Sequence, residues 1–167
     1  MKIFGIVGWK NSGKTTLLTK LIHEFSKRGL EVSSLKHAHH DFDIDEEGKD
    51  SFKHREAGAK EVMISSKKRW ALIHENNDKE LDLQSLIKKM KKVDIIFIEG
   101  FKNSNLIYPK LEVSRLESEK SYIFKTDENI IAFISDKKTK EIDIPVFDIN
   151  NIIEIVEFLE KIIHEKN

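Results

Sequence analysis

Between residues 8 and 16 the chain reads Gly8-Trp9-Lys10-Asn11-Ser12-Gly13-Lys14-Thr15-Thr16. Glycine, four residues, then Gly-Lys-Thr is a spacing suited to one task, the holding of a polyphosphate. Gly8 and Gly13 let the backbone turn sharply, so that consecutive N–H groups through Asn11 and Ser12 point inward at phosphate oxygens. A helix opening near Gly13-Lys14 adds the positive end of its dipole. Lys14 then neutralises the β- and γ-phosphates, the Thr15 hydroxyl ligates Mg²⁺, and Thr16 contacts the α-phosphate. By average residue usage such a string arises by chance in about half a per cent of chains this long. Its position, directly after an apolar strand and at the start of a helix, is the context a true phosphate loop requires.

Such a loop needs a second element, a buried strand that delivers a carboxylate to the Mg²⁺ or its water. Ile95-Ile96-Phe97-Ile98-Glu99-Gly100 fits, with Glu99 at the carboxyl end, where open parallel sheets place their ligands. Glu99 therefore joins Thr15 as a metal residue and is the candidate catalytic carboxylate. The competing reading is a solvated glutamate at a strand exit. Asp94, at the other end of the strand, is expected at the surface. For a nucleotide base, the familiar Asn-Lys-x-Asp string is absent. Asp136, after Ile130–Ser135, is the nearest candidate acceptor for guanine N1 and the exocyclic amine; a plain turn aspartate is the equal alternative.

A third polar concentration, Lys36–Asp50, holds His37, His39 and His40 with six carboxylates. It follows a strand and leaves the sheet at the same face as the phosphate loop. Three readings are open: a transition-metal site, a switch that senses the γ-phosphate, or a solvated loop. Downstream, Arg55 or Arg69 either clamps an anionic ligand in bidentate fashion or forms a surface ion pair.

The elements that must position these residues alternate between strand and helix periodicity. Strands are expected at Ile3–Val7, Glu31–Leu35, Val93–Ile98, Lys110–Ser114, Ile130–Ser135 and Ile144–Phe147. Glu61–Ser65 and Arg69–His74, split by Ser66-Lys67-Lys68, predict a hairpin rather than a crossover. Helices are expected over Thr15–Arg28 with Gly29 as its stop, over a short stretch ending near Ala57-Gly58, over Asp82–Lys91, and over Asn151–Lys166. The fold class is α/β: a doubly wound, mostly parallel phosphate-loop sheet with a β-hairpin insertion. The 167 residues, without repeat, linker or low-complexity tract, are expected to form one domain, 1–167.

Bulk composition narrows the function. Twenty-nine basic residues balance 29 acidic ones, which argues against nucleic acid or a membrane surface as partner. There is no cysteine, which excludes disulfides, thiolate catalysis and Cys-ligated metal centres. With no signal-like segment and no apolar run near 18–20 residues, the expected compartment is the cytoplasm.

Taken in order, GWKNSGKTTL (8–17), KHAHHDFDIDEEGKDSFKHREAGA (36–59), SSKKRWALIHE (65–75) and IEGFK…PKLEVSR (98–115) resemble the MobB family of molybdopterin-guanine dinucleotide biosynthesis. The likeness runs from residue 1 to about 136. One departure is Glu47, where the family often has proline. The resemblance implies GTP with Mg²⁺, weak GTP hydrolysis, and a homodimer. It also implies an adapter role beside the guanylyltransferase that joins GMP to molybdopterin, the molybdenum cofactor. Two alternatives stand beside it: a metallochaperone GTPase carrying metal on His37, His39 and His40, and a small metabolite kinase with Lys36–Asp50 as its acceptor site.

Overall fold

In chain order the elements are β1 (Lys2–Val7), α1 (Lys14–Lys27), β2 (Val32–Lys36), α2 (Asp50–Glu56), β3 (Glu61–Ser65), β4 (Trp70–His74), α3 (Leu83–Lys89), β5 (Ile95–Glu99), β6 (Lys110–Val113), β7 (Ile130–Ser135), β8 (Val146–Asp148) and α4 (Ile152–His164). A short 3-10 turn occupies Ile123–Lys125. The computed structural model describes residues 1–38, 42–76, 79–101, 104–115, 121–137 and 142–165. It comprises two compact units, Met1–His37 with Ile87–Asn167, and Ala38–Leu86.

The first unit is built on six strands in the order β2-β5-β1-β6-β7-β8, every neighbouring pair parallel. This is the parallel α/β sheet that the alternating periodicity predicts. All carboxyl ends therefore share one edge, bringing the residues after β1, β2, β5, β6 and β7 together. β5 is buried along its whole length, as expected of a central strand reading Ile-Ile-Phe-Ile.

On one face of the sheet, α1 and α4 close a single core. Leu17, Leu18, Leu21 and Phe25 of α1 meet Phe4, Ile6, Ile95 and Phe97, and Ile155, Val156 and Leu159 of α4 complete it. Each such side chain contributes about 1.5–3 kcal/mol by burial, so Phe25→Ala, which also opens a cavity, should cost about 3–5 kcal/mol. α1 stops at Gly29, whose φ of +87° a side chain would resist. The Asn151 side chain caps α4 by accepting from the Glu154 N–H.

The other face carries charge. Lys110 and Glu112 of β6 are buried there. Lys110 Nζ donates to Asp127 at 2.7 Å and lies 5.2 Å over the Tyr108 ring. Gly5 must be glycine, because a Cβ there would stand 2.8 Å from both Tyr108 and Lys110 side chains. Burial would raise the Asp127 carboxyl, but hydrogen bonds from Lys110 and Asn129 outweigh it and hold it below the usual range. Burial pushes the Tyr108 phenol up to about 12.

In the second unit β3 and β4 form the expected hairpin, with Val62 opposite Ile73, Met63 opposite Leu72 and Ser65 opposite Trp70. Because opposed residues share a face, Met63, Leu72 and Trp70 fall on one side of the ribbon and Val62, Ile64 and Ile73 on the other. α2 packs on β3, and Val62 is buried.

The elements differ from the sequence expectation chiefly at their ends. β8 starts after Pro145, which has no N–H for the ladder but whose carbonyl accepts from Phe133. α3 starts one residue later than expected because Asp82 caps it, accepting from the Ser85 N–H at 2.8 Å. Asp94 is exposed as expected, yet its carboxylate also accepts from the Glu31 N–H.

Candidate phosphate-binding site

The loop after β1 turns three times through the left-handed region, at Gly8 (φ +150°), Asn11 (φ +65°) and Gly13 (φ +97°). A Cβ on Gly8 would lie 2.2 Å from the Val113 carbonyl oxygen, so no other residue fits between β1 and β6. Gly13 is the N-cap of α1 and, having no side chain, makes no capping hydrogen bond there. The first turn has no acidic residue either. Both features leave the helix N-terminus with its donors and positive potential facing outward.

The remaining loop residues fill in the cradle. Ser12 is buried, and its Oγ has no hydrogen-bond partner among the described residues. An orphaned buried hydroxyl is costly unless a ligand completes it. Lys14 Nζ donates to the Trp9 carbonyl at 2.7 Å, an arrangement that keeps the ammonium folded over the loop. Thr16 is exposed on the same first turn.

Thr15 and Glu99 meet. The Thr15 hydroxyl donates to Glu99 Oε1 at 3.0 Å, and Glu99 is 8% exposed. The strand delivers its carboxylate to the loop because β5 lies beside β1 in register, with Glu99 opposite Ile6. Beyond Glu99 the chain turns away through Gly100 (φ +97°) and Phe101 (φ +51°). A Cβ at Gly100 would approach His37 Cβ to 2.8 Å. The His37 N–H donates to the Glu99 carbonyl, and its ring lies tilted against Phe101 with centroids 4.5 Å apart. Thus His37 braces the Glu99 turn. His39, His40 and Asp41 lie outside the described residues.

Asp136 follows β7 on the same edge, and Arg115 follows β6 between it and the loop. Arg115 Nε is 3.9 Å from Asp136 Oδ2 and 3.8 Å from where a Cβ on Gly13 would be. Sequence reasoning did not single out Arg115. Its signals are its place at the end of the family-like PKLEVSR string and its position two residues after a strand whose neighbour carries the phosphate loop.

Arg55 is in the second unit and is an ion-pair centre. Its guanidinium donates to Asp43 (2.7 Å), Glu75 (2.9 Å) and Asp45 (3.2 Å). Asp45 also accepts from Ser51 Oγ at 2.6 Å. Of the two sequence readings for this arginine, the clamp on an anionic ligand gives way to the ion pair, since three carboxylates already fill its fork. Glu75 first, then Asp43, raise the Arg55 pKa; the Asp45 N–H first, then Arg55, lower that of Asp43. Arg69 is exposed on the hairpin turn.

Chemically, the loop supplies backbone N–H donors and the Lys14 ammonium folded over them. The Thr15–Glu99 pair supplies a hydroxyl and a carboxylate side by side. That donor set fits a divalent cation that takes its remaining ligands from phosphates and water. Among the described residues no three His, Asp or Glu side chains are arranged to hold a metal by themselves.

Residues 3–136 match the family model for MobB, molybdopterin guanine dinucleotide synthesis protein B. The molybdopterin-guanine dinucleotide biosynthesis adapter protein of Haemophilus influenzae is 38% identical over 164 residues, covering 97% of this chain and 89% of that protein. Its namesake from Escherichia coli K12 is 36% identical over 169 residues, covering 99% and 95%. The crystal structure of Bacillus subtilis MobB superposes with a TM-score of 0.74 at 27% identity, covering 96% of this chain and 98% of that one. The MobB homologue from Bacillus stearothermophilus gives the same TM-score at 23% identity, with 99% and 100% covered, and speaks for the fold alone.

Proposed function

Because the chain belongs to the MobB family of molybdopterin guanine dinucleotide synthesis proteins, we propose that it is a GTP-binding adapter that assists the attachment of GMP to molybdopterin. The observation that carries the nucleotide half is the Thr15–Glu99 hydrogen bond beneath a loop whose Ser12 hydroxyl lacks a partner among the described residues. In this reading Gly8, Asn11, Ser12, Gly13, Lys14, Thr15 and Thr16 hold the polyphosphate. Thr15 and Glu99 hold Mg²⁺, and Asp136 accepts from the guanine edge with Arg115 beside it. Bound GTP would bring negative phosphate charge, which Lys14, the α1 N-terminus and Mg²⁺ would together compensate. Glu99 stays fixed by the β5 register and the His37 brace, which suits holding and orienting a bound metal. Residues 1–167 act as one nucleotide-binding domain with residues 38–86 inserted between β2 and β5.

The adapter half rests on the relatives at 36–38% identity, which are molybdopterin-guanine dinucleotide biosynthesis adapter proteins. The partners are molybdopterin and the guanylyltransferase, and the working form is a homodimer. Trp70, Met63 and Leu72 support the dimer: they lie on one hairpin face at 67%, 64% and 40% exposure, an apolar stripe wider than isolated surface residues make. The test is addition of the purified protein to a guanylyltransferase reaction with molybdopterin, GTP and Mg²⁺. Stimulation that disappears in Lys14→Ala supports the reading. Equal stimulation by both proteins removes the nucleotide from it.

A further inference from the structure

Glu112 is fully buried in the middle of β6, facing away from the α1–α4 core, and no step above uses it. Its two carboxylate oxygens accept from consecutive backbone donors, Ile123 N–H and Phe124 N–H, each at 2.8 Å. Such paired, charge-assisted bonds to main-chain amides are among the stronger ones a buried carboxylate can make. They fix residues 121–125 against the sheet. Aromatic packing reinforces the attachment: Tyr122 stacks on Phe124 at 5.4 Å, and both rings meet Phe133 of β7 edge-on.

At the start of this segment the Ser121 carbonyl accepts from the Trp9 indole N–H at 3.1 Å. Trp9 is the second residue of the phosphate loop, and its own carbonyl accepts from both Lys14 Nζ and the Ser12 N–H. A continuous line of contacts thus runs from the buried Glu112, through residues 121–124, to Trp9 and on to the phosphate lysine.

We propose that Glu112 is a positioning residue for the phosphate loop: it anchors residues 121–125, and these tether Trp9 so that the loop is held open in its binding shape. This rests on reading the loop as a nucleotide site and adds what keeps it shaped. An untethered loop must be ordered at the moment of binding, and that ordering cost appears as lost affinity. Glutamine at 112 keeps the size but offers one acceptor oxygen and turns an NH₂ toward a donor N–H. The aromatic packing on Phe133 remains, so the variant keeps its fold.

The test uses the full chain carrying Trp70→Phe, which leaves Trp9 as its one tryptophan. Acrylamide quenching of Trp9 is measured with and without Glu112→Gln, and GTP affinity with Mg²⁺ is measured by calorimetry. The expected result is faster quenching together with a three- to tenfold weaker Kd, about the worth of one hydrogen bond. In the otherwise unaltered chain, Trp9→Phe keeps an aromatic ring but removes the indole N–H that donates to the Ser121 carbonyl. It should weaken GTP by a similar factor, and adding Glu112→Gln should cost nothing further. Unchanged quenching in Glu112→Gln, losses that multiply in the double variant, or parent-like affinity in Trp9→Phe would each overturn the proposal. The Trp9→Phe arm holds even if Glu112→Gln fails to fold. Survival of GTP binding in Lys14→Ala would instead sink the assignment of residues 8–16 to the phosphates, and this proposal with it.

Discussion

The Thr15 hydroxyl and the Glu99 carboxylate lie 84 residues apart in sequence and 3.0 Å apart in space. One sits on the first turn of α1 and the other at the last residue of β5, and the parallel pairing of β1 with β5 brings them together. If this pair holds the metal, Glu99→Gln should weaken Mg²⁺-dependent GTP binding about 10- to 100-fold, the usual range for a disturbed metal site. Binding measured in excess chelator should change far less. Equal losses in both conditions would assign Glu99 a structural part at the strand exit.

Arg55→Met should leave Asp43, Asp45 and Glu75 facing one another without a cation. Residues 42–76 should then exchange their amide hydrogens faster, while the β1 and β5 amides keep their protection. The Asp43 carboxyl should rise only partway toward its ordinary value, because the Asp45 N–H still donates to it. Since that carboxyl is depressed in the folded protein, its contribution is present above the ordinary carboxylate range and is lost as pH falls through the lowered value. Carboxyl NMR titration of parent and variant reads the Asp43 shift, and amide hydrogen exchange reads the loosening.

The Lys110–Asp127 pair on the charged face should behave similarly and more strongly. Lys110→Met leaves Asp127 with its burial but without its main counter-charge, so its carboxyl should titrate at higher pH. The destabilisation near neutral pH should be about 2–3 kcal/mol, below the range for a fully buried pair because Asp127 keeps some solvent contact. Denaturant melts at pH 7 and pH 3.5 check the sign. The variant's deficit should shrink at the lower pH, where its Asp127 takes up a proton. A deficit that grows on acidification would contradict the assignment.

Trp70→Lys tests the dimer. The ring is 67% exposed on the hairpin face and opposite Ser65, so its replacement opens no cavity. Sedimentation at tens of micromolar should show a dimer for the parent and a monomer for the variant, with unchanged melting of the β1–β5 unit. A monomeric parent would move the hairpin face to another use.

Much of this architecture was legible in the sequence. β1, α1 and β5 announce themselves through apolar runs bounded by Gly8, Gly29 and Gly100, and the hairpin through two β-rich runs around Ser66-Lys67-Lys68. Glu99 could be placed because a strand's last residue must reach the sheet edge. Periodicity assigns a polar side chain to a face but does not give its partner, which depends on the register of strands distant in sequence. For that reason Glu112 and the amides of Ile123 and Phe124, the three carboxylate partners of the Arg55 ion pair, and Arg115 beside Gly13 were not foreseen. Nor was the storage of Lys14 on the Trp9 carbonyl, since the motif describes the lysine only toward its ligand.

The most direct measurement is titration calorimetry of the parent chain and Lys14→Ala with GTP and with ATP, in the presence and absence of Mg²⁺. The account predicts one GTP site per chain, tightened by Mg²⁺, with ATP weaker and no detectable binding in Lys14→Ala, whose melting temperature should be unchanged because the lysine fills no core space. A parent that binds neither nucleotide, or a Lys14→Ala chain that binds GTP within about threefold of it, roughly 0.7 kcal/mol, would contradict the assignment of residues 8–16 to a nucleotide's phosphates.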